Sequence, residues 1–204
     1  MTEPDPIPFR GGAASTLLTA PTLNIANILT FIRLLLVPVF AYLLIHNPQT
    51  DTLALSGAAV FGLAAITDFV DGYIARRYNL ITNFGKIADP IADKALIGTG
   101  LVLLSVQAAI PAWITAVILF RELAITVIRL RVLNYGVIPA SRGGKAKTLS
   151  QIVAVLLYVL PLPSGWEQVA QLFLWLALVL TVGTGIDYVS RAIKLVRAER
   201  ESIA

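Results

Sequence analysis

Four carboxylates stand at fixed spacing between residues 68 and 93. The stretch reads Asp68-Phe69-Val70-Asp71-Gly72-Tyr73-Ile74-Ala75-Arg76, then eight residues, then Gly85-Lys86-Ile87-Ala88-Asp89-Pro90-Ile91-Ala92-Asp93. It holds four of the chain's twelve acidic residues and is flanked on both sides by apolar sequence. A carboxylate beside hydrocarbon is costly and marks a functional site by default. Four together need a strong compensating partner, and a divalent metal is the simplest.

On a helix over 60–76, Asp68, Asp71, Gly72 and Ala75 fall at i, i+3, i+4 and i+7, one face. Two carboxylates then project beside two very small side chains, which let a flat group or a phosphate approach the backbone. Asp89 and Asp93, at i and i+4, share a face of the next helix, with Pro90 suited to its first turn. A connection of about nine to twelve residues lets the two helices run antiparallel and brings all four carboxylates to a similar depth. Oxygen-only ligands suit Mg²⁺, Mn²⁺ or Ca²⁺. Arg76 adds a fixed cation able to grip phosphate. Carboxylates, metal and cation together make a site for phosphoryl chemistry. Acids and small residues acting only as glue between helices would account for the glycine, but not for four acids with so few cations nearby.

The elements that carry these residues are membrane helices. The chain has 204 residues, is 57% hydrophobic and 14% charged, and has a mean hydropathy of +0.79, too apolar for a soluble domain. Six stretches are candidate spans, roughly 28–45, 53–76, 89–107, 111–132, 148–162 and 167–189. The fold expected is therefore an all-α integral membrane bundle of six transmembrane helices. Residues 1–20 read as a mobile cytoplasmic tail, and 21–204 as a single domain. No cysteine is present, which excludes disulfides and thiol catalysis.

Lys and Arg are absent from the connections near 46–52, 106–111 and 162–167. They gather on the other side, from Arg10 through Arg76, Arg77 and Lys86 to Arg142, Lys145, Lys147 and the run Arg191 to Arg200. The positive-inside rule then places both termini and the acidic motif in the cytoplasm. The net charge of +4 is a membrane-surface signal, not a nucleic-acid one. A small cation transporter or channel is compatible with intramembrane acids, but no inverted repeat is visible and Gly-x2-Ala-Arg has no role there.

Further residues have a chemical reading and a plain one. Asn27, Thr30 and Arg33 follow at i, i+3 and i+6; they form part of a polar site, or an N-cap, a self-bonded Thr and a snorkelling Arg. Pro38 should kink the first span. Lys94 compensates the acids or snorkels. Arg121 and Glu122, near the middle of the fourth span, must face the interior and pair with other helices, because adjacent helical residues do not face each other. Gly144-Lys145-Ala146-Lys147-Thr148 opens the fifth span as an anion site or as positive-inside lysines. His46 reads as interfacial, Gly57, Gly62, Gly98 and Gly100 as packing positions, and Trp113 and Trp166 as an outer aromatic belt.

The pattern D-x2-D-G-x2-A-R-x8-G-x3-D-x3-D, complete from Asp68 to Asp93, resembles the signature of the CDP-alcohol phosphotransferases, membrane enzymes of phospholipid synthesis. The resemblance implies transfer of a phosphatidyl group from CDP-diacylglycerol to an alcohol, with release of CMP. It implies two divalent cations, Mg²⁺ or Mn²⁺, held by Asp68, Asp71 and Asp89 with help from Asp93, which would also act as the base. Asn27, Thr30, Gly72, Ala75, Arg76 and Gly85 would meet the nucleotide donor. Ala26 stands where the family often has Pro. The sections N-I-x-N-x-L-T-x-x-R, F-G-K-x-x-D-P-x-A-D-K, R-E-x6-R and G-K-x-K-T most resemble members that use sn-glycerol 3-phosphate. That implies Arg129, Lys145 and Lys147 as ligands of the acceptor's phosphate and phosphatidylglycerophosphate as product. Members using inositol phosphate, or forming cardiolipin, are the alternatives. A homodimer in the cell membrane is implied by the family as well.

Overall fold

The computed structural model describes residues 25–46, 51–77, 83–132 and 142–203, with backbone only at 26, 71, 74–76, 83–90, 142 and 198–203. The described residues form six helices and no strand: α1 (Ile25–Ile45), α2 (Asp51–Arg77), α3 (Asn83–Val106), α4 (Ala112–Val132), α5 (Arg142–Val159) and α6 (Trp166–Ile203). The expected tail at 1–20 lies outside the described residues.

Each helix turns one stripe inward, and the stripes carry both the apolar core and the polar groups. On α1 the stripe is Asn27, Thr30, Arg33, Phe40 and Leu44, polar at one end and apolar at the other. On α2 it is Ala54, Ala58, Phe61 and Ala65, leading to half-buried Asp68. On α4, Ile114, Ile118, Ile125 and Val132 are buried with Arg121 between them, and on α5, Lys147 opens the row Gln151, Ala154, Val155 and Val159. These spacings of three and four are the helical period. α1 packs on α2 and α3, α5 on α6, and α4 on α6 and α3, while α5 also meets α2 and α3. Phe40 and Phe61, with ring centroids 5.1 Å apart, sit in the shared core with Leu101, Leu104, Ile118 and Val155.

The outer faces are apolar instead of polar. Phe31, Leu35, Leu63, Ile66, Phe120, Leu123, Leu172 and Val179 are exposed. In water this would be an aggregation surface; against lipid tails it costs nothing. Among the described residues three helices are long and apolar enough to cross a membrane, within Asn27–Ile45, Asp51–Val70 and Trp166–Arg197. α4 is interrupted by Arg121 and Glu122 and ends on Arg129 and Arg131, and the described parts of α3 and α5 carry Asp93, Lys94 and Lys147. α6 has 38 residues, about 57 Å at 1.5 Å per residue, far beyond a hydrocarbon thickness of ~30 Å. Its basic end, with Arg191, Lys194 and Arg197, therefore extends past the apolar part.

Two expectations about the motif region are corrected. α3 begins at Asn83, so Pro90 lies inside the helix and not in its first turn. Only residues 78–82 separate α2 from α3, a shorter connection than the spacing of the acids suggested. Pro lacks the N–H that a helix interior would use, so one ladder bond is missing just before Asp93. At the other end, α3 stops where Ala108 adopts φ 57°, with Ala109 N–H donating to Leu104 O at 2.9 Å and Ala108 N–H to Ser105 O at 3.1 Å. This is a Schellman cap, and Gln107 Nε2 ties it to Leu44 O at 2.7 Å. His46 is exposed, with its Nδ1 2.9 Å from the Tyr42 carbonyl oxygen.

Of the glycines read as packing positions, Gly98 and Gly100 face close neighbours, whereas a Cβ on Gly57 or Gly62 would make only ordinary contacts at 3.7 and 3.9 Å. A Cβ on Gly100 would lie 2.8 Å from Val155 Cγ1, and one on Gly98 3.4 Å from Leu119 Cδ2. Gly100→Val should therefore push α3 from α5 and cost about 1–3 kcal/mol as overpacking does. A lowered thermal midpoint in detergent is the check; an unchanged midpoint would mean that the two helices separate freely.

Candidate active site

The first and last acids of the motif converge on a residue from another helix. Arg33 Nη1 lies 2.7 Å from Asp68 Oδ1 and 2.9 Å from Asp93 Oδ1. The two carboxylate oxygens are thus no farther apart than the sum of these distances. Arg33 is wholly buried, whereas the side chains of Asp68 and Asp93 are 31% and 43% exposed. The buried guanidinium underlies two acids that are themselves only partly buried. Asn27 and Thr30, buried on the same face of α1, line up toward the helix start.

A buried arginine between two carboxylates solves a charge problem. Two like charges at this separation repel, and burial of an unpaired guanidinium is expensive. Sharing one Nη between both acids holds α1, α2 and α3 in register and keeps the acids near each other. Asp71 and Asp89 are placed on α2 and α3 by their backbone, and their side chains lie outside the described residues, as do those of Ala75 and Arg76; Gly85 is placed on α3 by its backbone alone. Among the described residues no three acidic or histidine side chains form a metal cage. The donor set itself is oxygen only, which fits a hard divalent cation.

A second polar network starts one residue further on. Lys94, next to Asp93, donates to the Thr126 hydroxyl. Thr126 Oγ1 donates to the Glu122 carbonyl at 2.7 Å. Glu122 Oε1 accepts from Lys147 Nζ and from Arg121 Nη1, the latter at 3.2 Å. Arg121 Nη2 donates to Thr184 Oγ1 at 2.9 Å. Arg121 and Glu122 do reach other helices as expected, but they also touch each other, because two long side chains can bend across the angle that separates neighbours on a helix. Gln151 Nε2 donates to Thr181 Oγ1 at 3.1 Å in the same layer.

The three cations read as acceptor ligands are placed differently from one another. Lys147 is 7% exposed and bound to Glu122, while Lys145, two residues earlier, is on the surface. Residues two apart on a helix do not share a face. Arg129 is exposed and stacks 5.8 Å from the centroid of the Tyr188 ring. Gly72 is half-buried on α2.

Arg33 as the partner of the motif acids, and Glu122 as the partner of Lys147, were not assigned from sequence. A signal was present: each charged residue of this layer occupies a position that the helical period reserves for the core.

Residues 23–183 match the family model described as CDP-alcohol phosphatidyltransferase. A protein of Mycobacterium tuberculosis named probable phosphatidylglycerophosphate synthase is 48% identical over 180 residues, 88% of this chain and 86% of the relative. Proteins named CDP-diacylglycerol--glycerol-3-phosphate 3-phosphatidyltransferase are similar as well. The one from Bacillus subtilis is 39% identical over 82% of this chain and 94% of the relative, and the one from Escherichia coli 36% identical over 83% and 94%.

Proposed function

Because the chain belongs to the CDP-alcohol phosphatidyltransferase family, we propose that it transfers the phosphatidyl group of CDP-diacylglycerol to sn-glycerol 3-phosphate. The products are phosphatidylglycerophosphate and CMP. The observation that carries the chemistry is the convergence of Asp68 and Asp93, from two helices, on the buried Arg33. The acceptor follows from the names of the relatives, which cover most of this chain.

Asp68, Asp71, Asp89 and Asp93 would hold two divalent cations, Mg²⁺ or Mn²⁺, which when bound supply charge neutralisation at the pyrophosphate. Asp93 takes the proton of the acceptor hydroxyl. The hydroxyl oxygen bonds to the β-phosphorus, and the bond from that phosphorus to the bridging oxygen breaks, the electron pair leaving with CMP. Arg33 holds Asp68 and Asp93 oriented. Gly72, Ala75 and Gly85 give the nucleotide room, Arg76 meets phosphate, and Asn27 and Thr30 complete the donor side. Lys147 and Arg129 serve the acceptor's phosphate, with Lys145 at the rim. All six helices span the membrane, with the acidic motif and both termini cytoplasmic, and the chain works as a homodimer.

The test is CMP release by purified protein with glycerol 3-phosphate, inositol phosphate and phosphatidylglycerol offered in turn. Release should depend on glycerol 3-phosphate, stop with EDTA and return with Mg²⁺ or Mn²⁺. A preference for either other acceptor would replace the acceptor reading alone. Full activity in metal-free buffer would defeat the metal reading.

A further inference from the structure

Glu122 has no part in the steps above, yet it is the centre of the second polar network. One of its oxygens, Oε1, accepts from Lys147 on α5 and from Arg121, which continues to Thr184 on α6. The missing side chain of Gly185 makes this crossing possible: a Cβ there would lie 3.1 Å from Arg121 Nε. The Glu122 carbonyl accepts from Thr126, which accepts from Lys94 on α3. One residue of α4 thus gathers groups from three other helices.

Lys147 shows why the gathering matters. An ammonium 7% exposed is costly to keep charged without a partner. On its flexible stem it is also a poorly fixed point charge. Glu122 offsets the burial and fixes the nitrogen, and it uses one of the three ammonium donors. Arg121 and Lys147 share the one Glu122 oxygen Oε1, so these described contacts set two cations against one carboxylate and leave positive charge for another anion.

We propose that Glu122 is a positioning residue for the acceptor: it holds Lys147 charged and aimed inside the bundle, so the acceptor's phosphate meets a preorganised cation. The inference rests on the glycerol 3-phosphate reading above. In the opposite arrangement Glu122 would block Lys147 and be displaced by the acceptor. The two arrangements differ in sign.

The experiment measures KM for glycerol 3-phosphate and for CDP-diacylglycerol, by CMP release from purified protein, in wild type, Glu122→Gln, Lys147→Gln and the double variant. Glu122→Gln should raise the acceptor KM about tenfold or more, the scale of one charge-assisted hydrogen bond, and leave the donor KM within about twofold. The double variant should be no worse for the acceptor than Lys147→Gln alone, since Glu122 acts through Lys147. A lowered acceptor KM in Glu122→Gln overturns the proposal in favour of blocking. Equal rises in both constants, or additive effects in the double variant, overturn it in favour of a purely structural role. If Glu122→Gln does not fold, Glu122→Asp carries the test: it withdraws the carboxylate by about one bond length, ~1.5 Å, and an unchanged acceptor KM overturns the proposal. Lys147→Gln with a normal acceptor KM refutes the phosphate assignment of Lys147. Lys147→Gln with a raised acceptor KM beside a silent Glu122→Gln refutes only the role of Glu122.

Discussion

Asp93→Asn should slow CMP release by roughly 10²–10⁴-fold, the range that a positioned general base contributes, while the protein remains folded. The amide keeps the shape of the carboxylate and can still accept from Arg33 through its oxygen, but it takes no proton. Arg33 also retains Asp68, 2.7 Å away, as a charged partner, so the thermal midpoint should move little. Rate and midpoint therefore separate. Oδ1 of Asp93 is already committed to Arg33 at 2.9 Å, which fixes its direction. The side chain is 43% exposed, enough for an acceptor hydroxyl to reach it from the open side. If Asp93→Asn keeps the rate within about tenfold of wild type, another group removes the proton and Asp93 only holds Arg33.

Arg33→Met should do the reverse and act first on stability. It takes the only described cation from between Asp68 and Asp93 and leaves two carboxylates facing each other at the edge of an apolar interior. Breaking a buried pair from one side costs about 3–5 kcal/mol. For a domain of this size that lowers the thermal midpoint by on the order of 10 °C. Activity should fall with it. Arg33→Lys should be intermediate, because a single nitrogen already makes both contacts but the lysine stem is shorter. Adding Asp68→Asn to Arg33→Met should recover part of the midpoint, since the repulsion is then gone. A midpoint unchanged in Arg33→Met would mean that the acids are held apart by solvent and that Arg33 is not their partner.

Much of this molecule was legible one helix at a time. The acids at 68, 71, 89 and 93, the small residues beside them and the apolar stretches follow the helical period, and the period depends only on local backbone geometry. The helices α1, α2, α4 and α6 begin within a few residues of the expected spans, because long apolar runs bounded by polar turns leave little choice. The start of α3 was misplaced by six residues: Pro90 is locally suited to a first turn, but the helix continues through it.

What the sequence alone determined is therefore which residues share a face and that the faces are helical, apolar outside and acidic at one end. Only the tertiary structure decided who meets whom. Arg33 is separated from Asp93 by sixty positions, Arg121 from Thr184 by sixty-three, and Lys147 from Glu122 by twenty-five. No local rule sets those pairings. They arise because charged groups barred from hydrocarbon on the outer faces must find one another within the bundle, and the packing of α1 on α2 and α3, and of α4 on α6, leaves each of them few partners within reach.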